Sequence, residues 1–328
     1  MDGTANKMAA GERGRWQMSS RLDTAMVECV WPLGAELGEG PVWSASAACL
    51  WFVDIKGRQI HQYDPLTGVG RSWAAPAQPG FIAPLRGGGF IVGLQTGLHR
   101  FDPTKSGFEL LLAVEPSIID NRLNDGHVDA QGRLWFGSMH DGEHDRTGAL
   151  YCLDTTGVVS RADEGYCITN GPASCPACRT LYHVDTLQRM IYAFEIDADG
   201  ILRSKRRFVA IDSEDGYPDG ISVDAEGAVW VALWGGWGLL RYSPAGDLLQ
   251  RISLPCANVT KAAFGGADGR TLFITTAHKG MTAGQRRDQP FAGGLFAVRV
   301  DTPGMPQHEV AAIPRQLRVH RTEGGPTP

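Results

Sequence analysis

Four dipeptides carry side chains that could do chemistry: Glu39-Gly40, Asp125-Gly126, Asn170-Gly171 and Asp219-Gly220. Each joins a carboxylate or amide oxygen to a glycine. Taken singly, Asp-Gly and Asn-Gly are common turn dipeptides. Their phase says more. Each lies ten to twelve positions ahead of an aromatic residue in a hydrophobic segment, namely Trp51, Trp135, Tyr182 and Trp230. Turn formation alone gives no reason for carboxylates and amides to recur at that place. Brought together, these oxygens include the carboxylates of Glu39 and Asp219, which repel each other without a cation. An oxygen-rich cage suits a hard divalent ion. With few protein ligands, positions stay open for water and substrate, which is a catalytic arrangement.

The elements that must position these residues form a repeat. Leu50-Trp51-Phe52-Val53, Gly89-Phe90-Ile91-Val92 and Leu134-Trp135-Phe136-Gly137 are three instances. Leu181-Tyr182-His183-Val184, Val229-Trp230-Val231-Ala232 and Leu272-Phe273-Ile274-Thr275 are three more. Successive aromatics are 39, 45, 47, 48 and 43 residues apart, the length of a four-stranded propeller blade. A further short strand follows each instance, as at Gln59–Asp64, Gly97–Asp102 and Gly148–Leu153. Turns such as Asp199-Gly200, Ala245-Gly246 and Asp268-Gly269 punctuate them. No segment carries a sustained helical period. The expectation is an all-β, six-bladed β-propeller; the regular spacing argues against a β-sandwich. In a propeller the dipeptide positions surround the central axis at one height. The second copy has Gly80 there and the sixth has Lys261. A strand at Val27–Trp31, beside His308–Ile313, is expected to complete the last blade and remove its exposed edge. The catalytic domain is expected over 26–314. Residues 1–25 read as a disordered or over-long N-terminal extension, with Met8, Met18 and Met26 as alternative starts, and 315–328 as a flexible tail.

Composition narrows the function classes. The chain has 328 residues, 42 glycines, 9 tryptophans and a formal net charge of −5. No basic stripe points to nucleic acid, and Lys205-Arg206-Arg207 reads as a solvated loop. No run of about eighteen apolar residues implies a membrane span. The start lacks a signal-peptide pattern, so a cytoplasmic location is expected. Seven cysteines argue against a disulfide framework. Cys175-Pro-Ala-Cys178 has neither a partner pair for zinc nor a βαβ context for redox chemistry, and reads as incidental.

Four blocks in order resemble the SMP-30/gluconolactonase/regucalcin-like family. They are Leu37–Trp43, Asn121–Gly126, Ile168–Pro172 and Tyr217–Gly220. The resemblance covers roughly residues 27–312. It implies that Glu39, Asn170 and Asp219 hold one divalent metal ion (Ca²⁺, Mg²⁺, Mn²⁺, Zn²⁺ or Fe²⁺). It makes Asp219 the general acid/base, and Arg122 and Asn124 the substrate-binding pair. Leu50–Ile60, Trp135–Gly142 and Leu233–Gly238 look closest to bacterial xylono- and arabinonolactonases. Two departures stand out. Where many relatives have a glycine in the turn after the Asn-Gly-Pro block, this chain has Cys178. The acidic substrate contact that some members place soon after Met139 has an ambiguous register here, and Glu143 is not assigned to it.

The resemblance therefore implies metal-assisted hydrolysis of a sugar lactone, with no nucleic acid, membrane or obligate protein partner. Trp234 and Trp237 could flank the sugar, although blade packing better suits at least one of them. His127 and His140 are candidate proton shuttles, but lone strand histidines are more often structural. No Gly-x-Ser-x-Gly elbow points to a serine hydrolase. The alternatives are a glucono-1,5-lactonase, another ester or phosphotriester hydrolase on the same scaffold, and a non-enzymatic Ca²⁺-binding propeller.

Overall fold

The computed structural model describes residues 26–197, 199–311 and 317–320. Within them the chain forms six small antiparallel sheets, the six blades of a propeller. The inner strands are Gly38–Ser44, Pro79–Pro84, Asn121–Val128, Thr169–Ser174, Tyr217–Val223 and Val259–Gly265. The aromatic residues of the repeat lie on the second strands, Cys49–Asp54, Phe90–Leu94, Leu134–His140, Thr180–Asp185, Val229–Trp234 and Thr271–Thr276. Burial falls outward along each blade. Cys49–Asp54 is buried at every position, while the outer strand Val69–Ala74 is almost wholly exposed. A strand packed on both faces needs continuous apolar side chains, whereas an edge strand does not.

The core is divided rather than single. Six apolar clusters lie between neighbouring blades, one at each junction of the ring. Trp135 packs with Leu181 and Phe194 between blades three and four. Trp43 stacks on Phe273 across the junction of blades six and one, with centroids 5.7 Å apart. Hairpins are pinned from below in blades three and five. Buried Asp129 accepts from Trp135 Nε1 at 2.9 Å, and buried Asp224 from Trp230 Nε1 at 3.0 Å.

Two expectations need correction. The N-terminal strand is Glu28–Trp31, and its partner is Leu295–Arg299, not His308–Ile313. The reason is that Leu295–Arg299 is only the third strand of blade six, so its free edge takes the N-terminal strand. The segment after it instead crosses to blade two, where Val310 bridges Leu85 in parallel. The α-helix among the described residues, Ala283–Asp288, is closed by a capping box between Thr282 and Gln285, and its six residues are too few to carry a sustained period. Lys205–Arg207 lies on the outer strand Leu202–Ala210, with Lys205 over the rings of Tyr166 and Tyr192. Of the expected tail over 315–328, the described residues are 317–320, where Arg318–Val319 pairs in parallel with Val158–Val159. Residues 1–25 lie outside the described residues.

Candidate active site

Each inner strand carries a β-bulge or register shift near its start: Glu39/Val42, Pro79/Phe81, Leu123/Gly126, Asn170/Ala173, Pro218/Ile221 and Val259/Lys261. A bulge bends the strand and re-aims its side chains. Six bulges at one height turn Glu39, Asn170 and Asp219 toward a shared cavity of about 250 Å³. The glycines next to the bulges allow close approach. A Cβ on Gly171 would lie 2.4 Å from Ile221 N, and one on Gly80 2.3 Å from Leu123 O. The sixth copy has Lys261 in this region, and its Nζ reaches Asp125 at 2.5 Å. Asp125 also accepts from the amides of Gly126 and Gly171. Asp125 thus has its own cation and does not line the cavity.

Glu39, Asn170 and Asp219 are all buried. Burial and then the charge of Asp125 push the Glu39 carboxyl up. Burial and then the charges of Glu39 and Asp125 push Asp219 well above the usual carboxylate range. Among the described residues Asp219 has no ion-pair partner, whereas Asp125 pairs with Lys261. Asn170 is oriented by its neighbours: Nδ2 donates to Thr186 Oγ1 at 2.9 Å, and Oδ1 accepts from Asn124 Nδ2 at 2.8 Å. Two crowded carboxylates and an amide oxygen at one cavity wall fit a divalent cation, which would relieve their repulsion.

Arg122 is held on the next wall. Its Nε donates to Asp141 at 2.7 Å and its Nη1 to Asn124 Oδ1 at 2.5 Å. Asp141 also accepts from Lys56 and Gln78. Burial opposes ionisation of Asp141, but hydrogen bonds from Lys56 and Gln78 and the Arg122 charge hold it down to about 2. Glu143 and Lys279 form an ion pair beside the cavity, with Lys279 near the Trp234 ring.

A region of the chain spanning residues 37–278 matches the family model described as SMP-30/Gluconolactonase/LRE-like region. The chain belongs to this family. A 6-deoxy-6-sulfogluconolactonase of Pseudomonas putida is 34% identical over 284 residues, covering 85% of this chain and 96% of that protein. A regucalcin of Danio rerio is 34% identical over 281 residues, covering 84% and 95%. The crystal structure of a calcium-binding regucalcin from Agrobacterium tumefaciens superposes with a TM-score of 0.84 at 25% identity, covering 87% and 97%.

In this SMP-30/gluconolactonase/LRE-like chain, all five residues singled out from the sequence line one cavity: Glu39, Arg122, Asn124, Asn170 and Asp219. Other candidates separate. Trp234 lines the cavity, whereas Trp237 is 46% exposed and lies outside it. His127 lines a different cavity at the opposite end of the channel, where burial and then Lys261 lower its pKa to about 3. His140 sits with His144 and Asp145 in a group whose ligand atoms lie within 4.8 Å. The Gly142 amide donates to His140 Nδ1 at 3.1 Å. Asp141, Thr186 and Lys279 were missed. They follow second strands in loops of unequal length, where the repeat gives no register. The short distance from Met139 to Asp141 was the available signal.

Proposed function

We propose that this chain hydrolyses a sugar lactone to the aldonic acid with the help of one divalent metal ion held by Glu39, Asn170 and Asp219. The observation that carries the reading is the pair of buried, mutually repelling carboxylates that line, together with Arg122, a cavity of monosaccharide size. An all-oxygen donor set favours Ca²⁺, Mg²⁺ or Mn²⁺ over softer ions. When bound, the ion supplies positive charge to the lactone carbonyl oxygen as negative charge develops there. Arg122 is pre-aimed by Asp141, and its Nη2 makes no hydrogen bond among the described residues, leaving it for the substrate. Asn124 links Arg122 to Asn170 and lines the same wall, so the two hold the sugar for attack. Asp219 takes a proton from the attacking water and returns one to the ring oxygen as the C–O bond breaks. Apolar Leu37, Ile55 and Met139 restrict water at the reacting face.

The preferred substrate is proposed to be a pentonolactone, such as D-xylono- or L-arabinonolactone, on the resemblance of Leu50–Ile60, Trp135–Gly142 and Leu233–Gly238. The protein is proposed to work in the cytoplasm; no described helix is long and apolar enough to cross a membrane. A pH-stat assay of D-xylono-, L-arabinono- and D-glucono-lactone, with and without chelator, tests this. Chelator-sensitive acid release, fastest on a pentonolactone, is expected. Faster release from gluconolactone overturns the pentose preference alone. Release unaffected by chelator overturns the metal's role. Turnover of an aryl ester but of no lactone overturns the substrate class.

A further inference from the structure

The Cys175-Pro-Ala-Cys178 segment forms the hairpin turn at the end of the fourth inner strand, at the mouth of the channel opposite the proposed active site. The turn is closed: Cys178 N donates to Cys175 O at 2.8 Å, and Cys175 N to Thr180 O at 2.9 Å. An i to i+3 turn of this kind holds its end Cα atoms within about 7 Å. Disulfides span Cα separations of about 4.4–6.8 Å. The turn therefore places the two Cα atoms at a separation that a disulfide can span. Cys178 has φ of +50°, a left-handed conformation that a non-glycine residue adopts only at a cost, and the closed turn holds it there.

The two thiols differ. Cys175 is half-buried, and its Sγ accepts the Thr180 amide at 3.3 Å. Cys175 is thus the more accessible residue of the two. Cys178 is buried, with Sγ 3.9 Å from Ser174 Oγ. His127 Nε2 accepts from the Ser174 amide at 3.2 Å and lies 2.8 Å from Ser174 Oγ. It is therefore the unprotonated nitrogen, and the Ser174 hydroxyl donates to it. The hydroxyl oxygen is then free to accept the Cys178 thiol proton. Burial pushes up the thiols of Cys29, Cys49, Cys152, Cys167 and Cys256, which disfavours their thiolates.

We propose that Cys175 and Cys178 form a reversible redox dithiol, with Cys175 the attacking and Cys178 the resolving sulfur. The oxidant is a small-molecule disulfide. The Cys175 thiolate attacks one sulfur of it, forming a mixed disulfide and releasing one thiol of the oxidant as its thiolate, which takes a proton from water. Cys178 gives its proton to water and attacks the Cys175 sulfur; the S–S bond of the mixed disulfide breaks, and the second thiolate leaves and takes up a proton. The protein gives up two electrons and the oxidant is reduced to two thiols.

The test treats folded full-length protein with oxidised glutathione, then alkylates it and maps peptides by mass spectrometry. Wild type is expected to lose two alkylatable thiols, at Cys175 and Cys178, with a bond between them that dithiothreitol reverses. Cys178→Ser is expected to trap one glutathionyl group on Cys175. Cys175→Ser is expected to leave Cys178 unmodified. Unchanged circular dichroism and lactone turnover in both untreated variants show that the fold persists. The proposal is overturned if both cysteines of wild type remain alkylatable, if the bond joins another cysteine, or if Cys178→Ser traps no adduct.

Discussion

Asp219 is buried against Glu39, and burial and that neighbouring charge both disfavour its ionised form. A divalent cation reverses this, which couples ion binding to stability through one carboxylate. Asp219→Asn removes the proposed base and half of the repulsion together. Turnover is expected to fall by about 10²–10⁴-fold, the usual contribution of a positioned base. The melting temperature of the metal-free variant should rise above that of metal-free wild type, and its increase on adding Ca²⁺ or Mn²⁺ should shrink. Steady-state kinetics and thermal melts in chelator and in ion check the two effects separately; a near-normal rate removes Asp219 from the proton-transfer role. Asp141 acts at one remove, through Arg122 Nε. Asp141→Asn keeps the size but weakens the hold of Asp141 on Arg122 and Lys56. A loss of about 10–10²-fold in kcat/KM is expected, the scale of a small misplacement of a positioning group. The ion-induced rise in melting temperature should be unchanged, which distinguishes this variant from Asp219→Asn.

At the scale of the strand, the site is a consequence of six inner strands bulging at the same height. Glycines beside the bulges let neighbouring strands approach, and Gly80 is the sharpest case because its Cβ would meet two backbone oxygens, Leu123 O at 2.3 Å and Asn124 O at 2.6 Å. Backbone cannot swing aside as a side chain can. Gly80→Ala is therefore expected to destabilise the fold by about 1–3 kcal/mol, the usual cost of overpacking. Because Leu123 and Asn124 lie on the strand of Arg122, KM should rise as well; urea denaturation and lactone kinetics read the two. Wild-type stability in this variant would mean that the inner strands are not packed at their limit. This periodic layer was legible in the sequence, since the aromatics of the second strands set the phase and the dipeptides marked the bulges. Asp141, Thr186 and Lys279 were not, because they sit in connections whose lengths differ between blades. The partner of the N-terminal strand was misread for a related reason: hydrophobic pattern identifies a strand but does not say which edge is free to receive it.

At the scale of the whole ring, the closing element is four residues long. Glu28–Trp31 completes blade six by pairing with Leu295–Arg299, yet its largest side chain packs toward blade one. Trp31 lies edge-on to Phe52 and His61, stacks on Tyr63 at 6.0 Å, and sits where a Cβ on Gly70 would come within 2.3 Å of its ring. The strand therefore does two jobs: it covers the free edge of the last blade and fastens that blade to the first. Cutting it away opens the ring at one junction and exposes unpaired backbone on Leu295–Arg299, an invitation to intermolecular pairing. A chain begun at Met26 keeps every pairing described and is expected to melt with the full-length protein. One begun at Leu33 loses the pairing and the Trp31 contacts. With several kcal/mol lost, its melting temperature is expected to fall by roughly 10 °C, and it should associate at concentrations where the full chain does not. Trp31→Ala separates the two roles. It keeps the backbone pairing while removing the indole, so it should lower the melting temperature by less and leave the protein unassociated in sedimentation velocity. Equal losses in Trp31→Ala and the shortened chain would assign closure to the side chain alone, and no loss in either would mean that the six inter-blade clusters hold the ring without it.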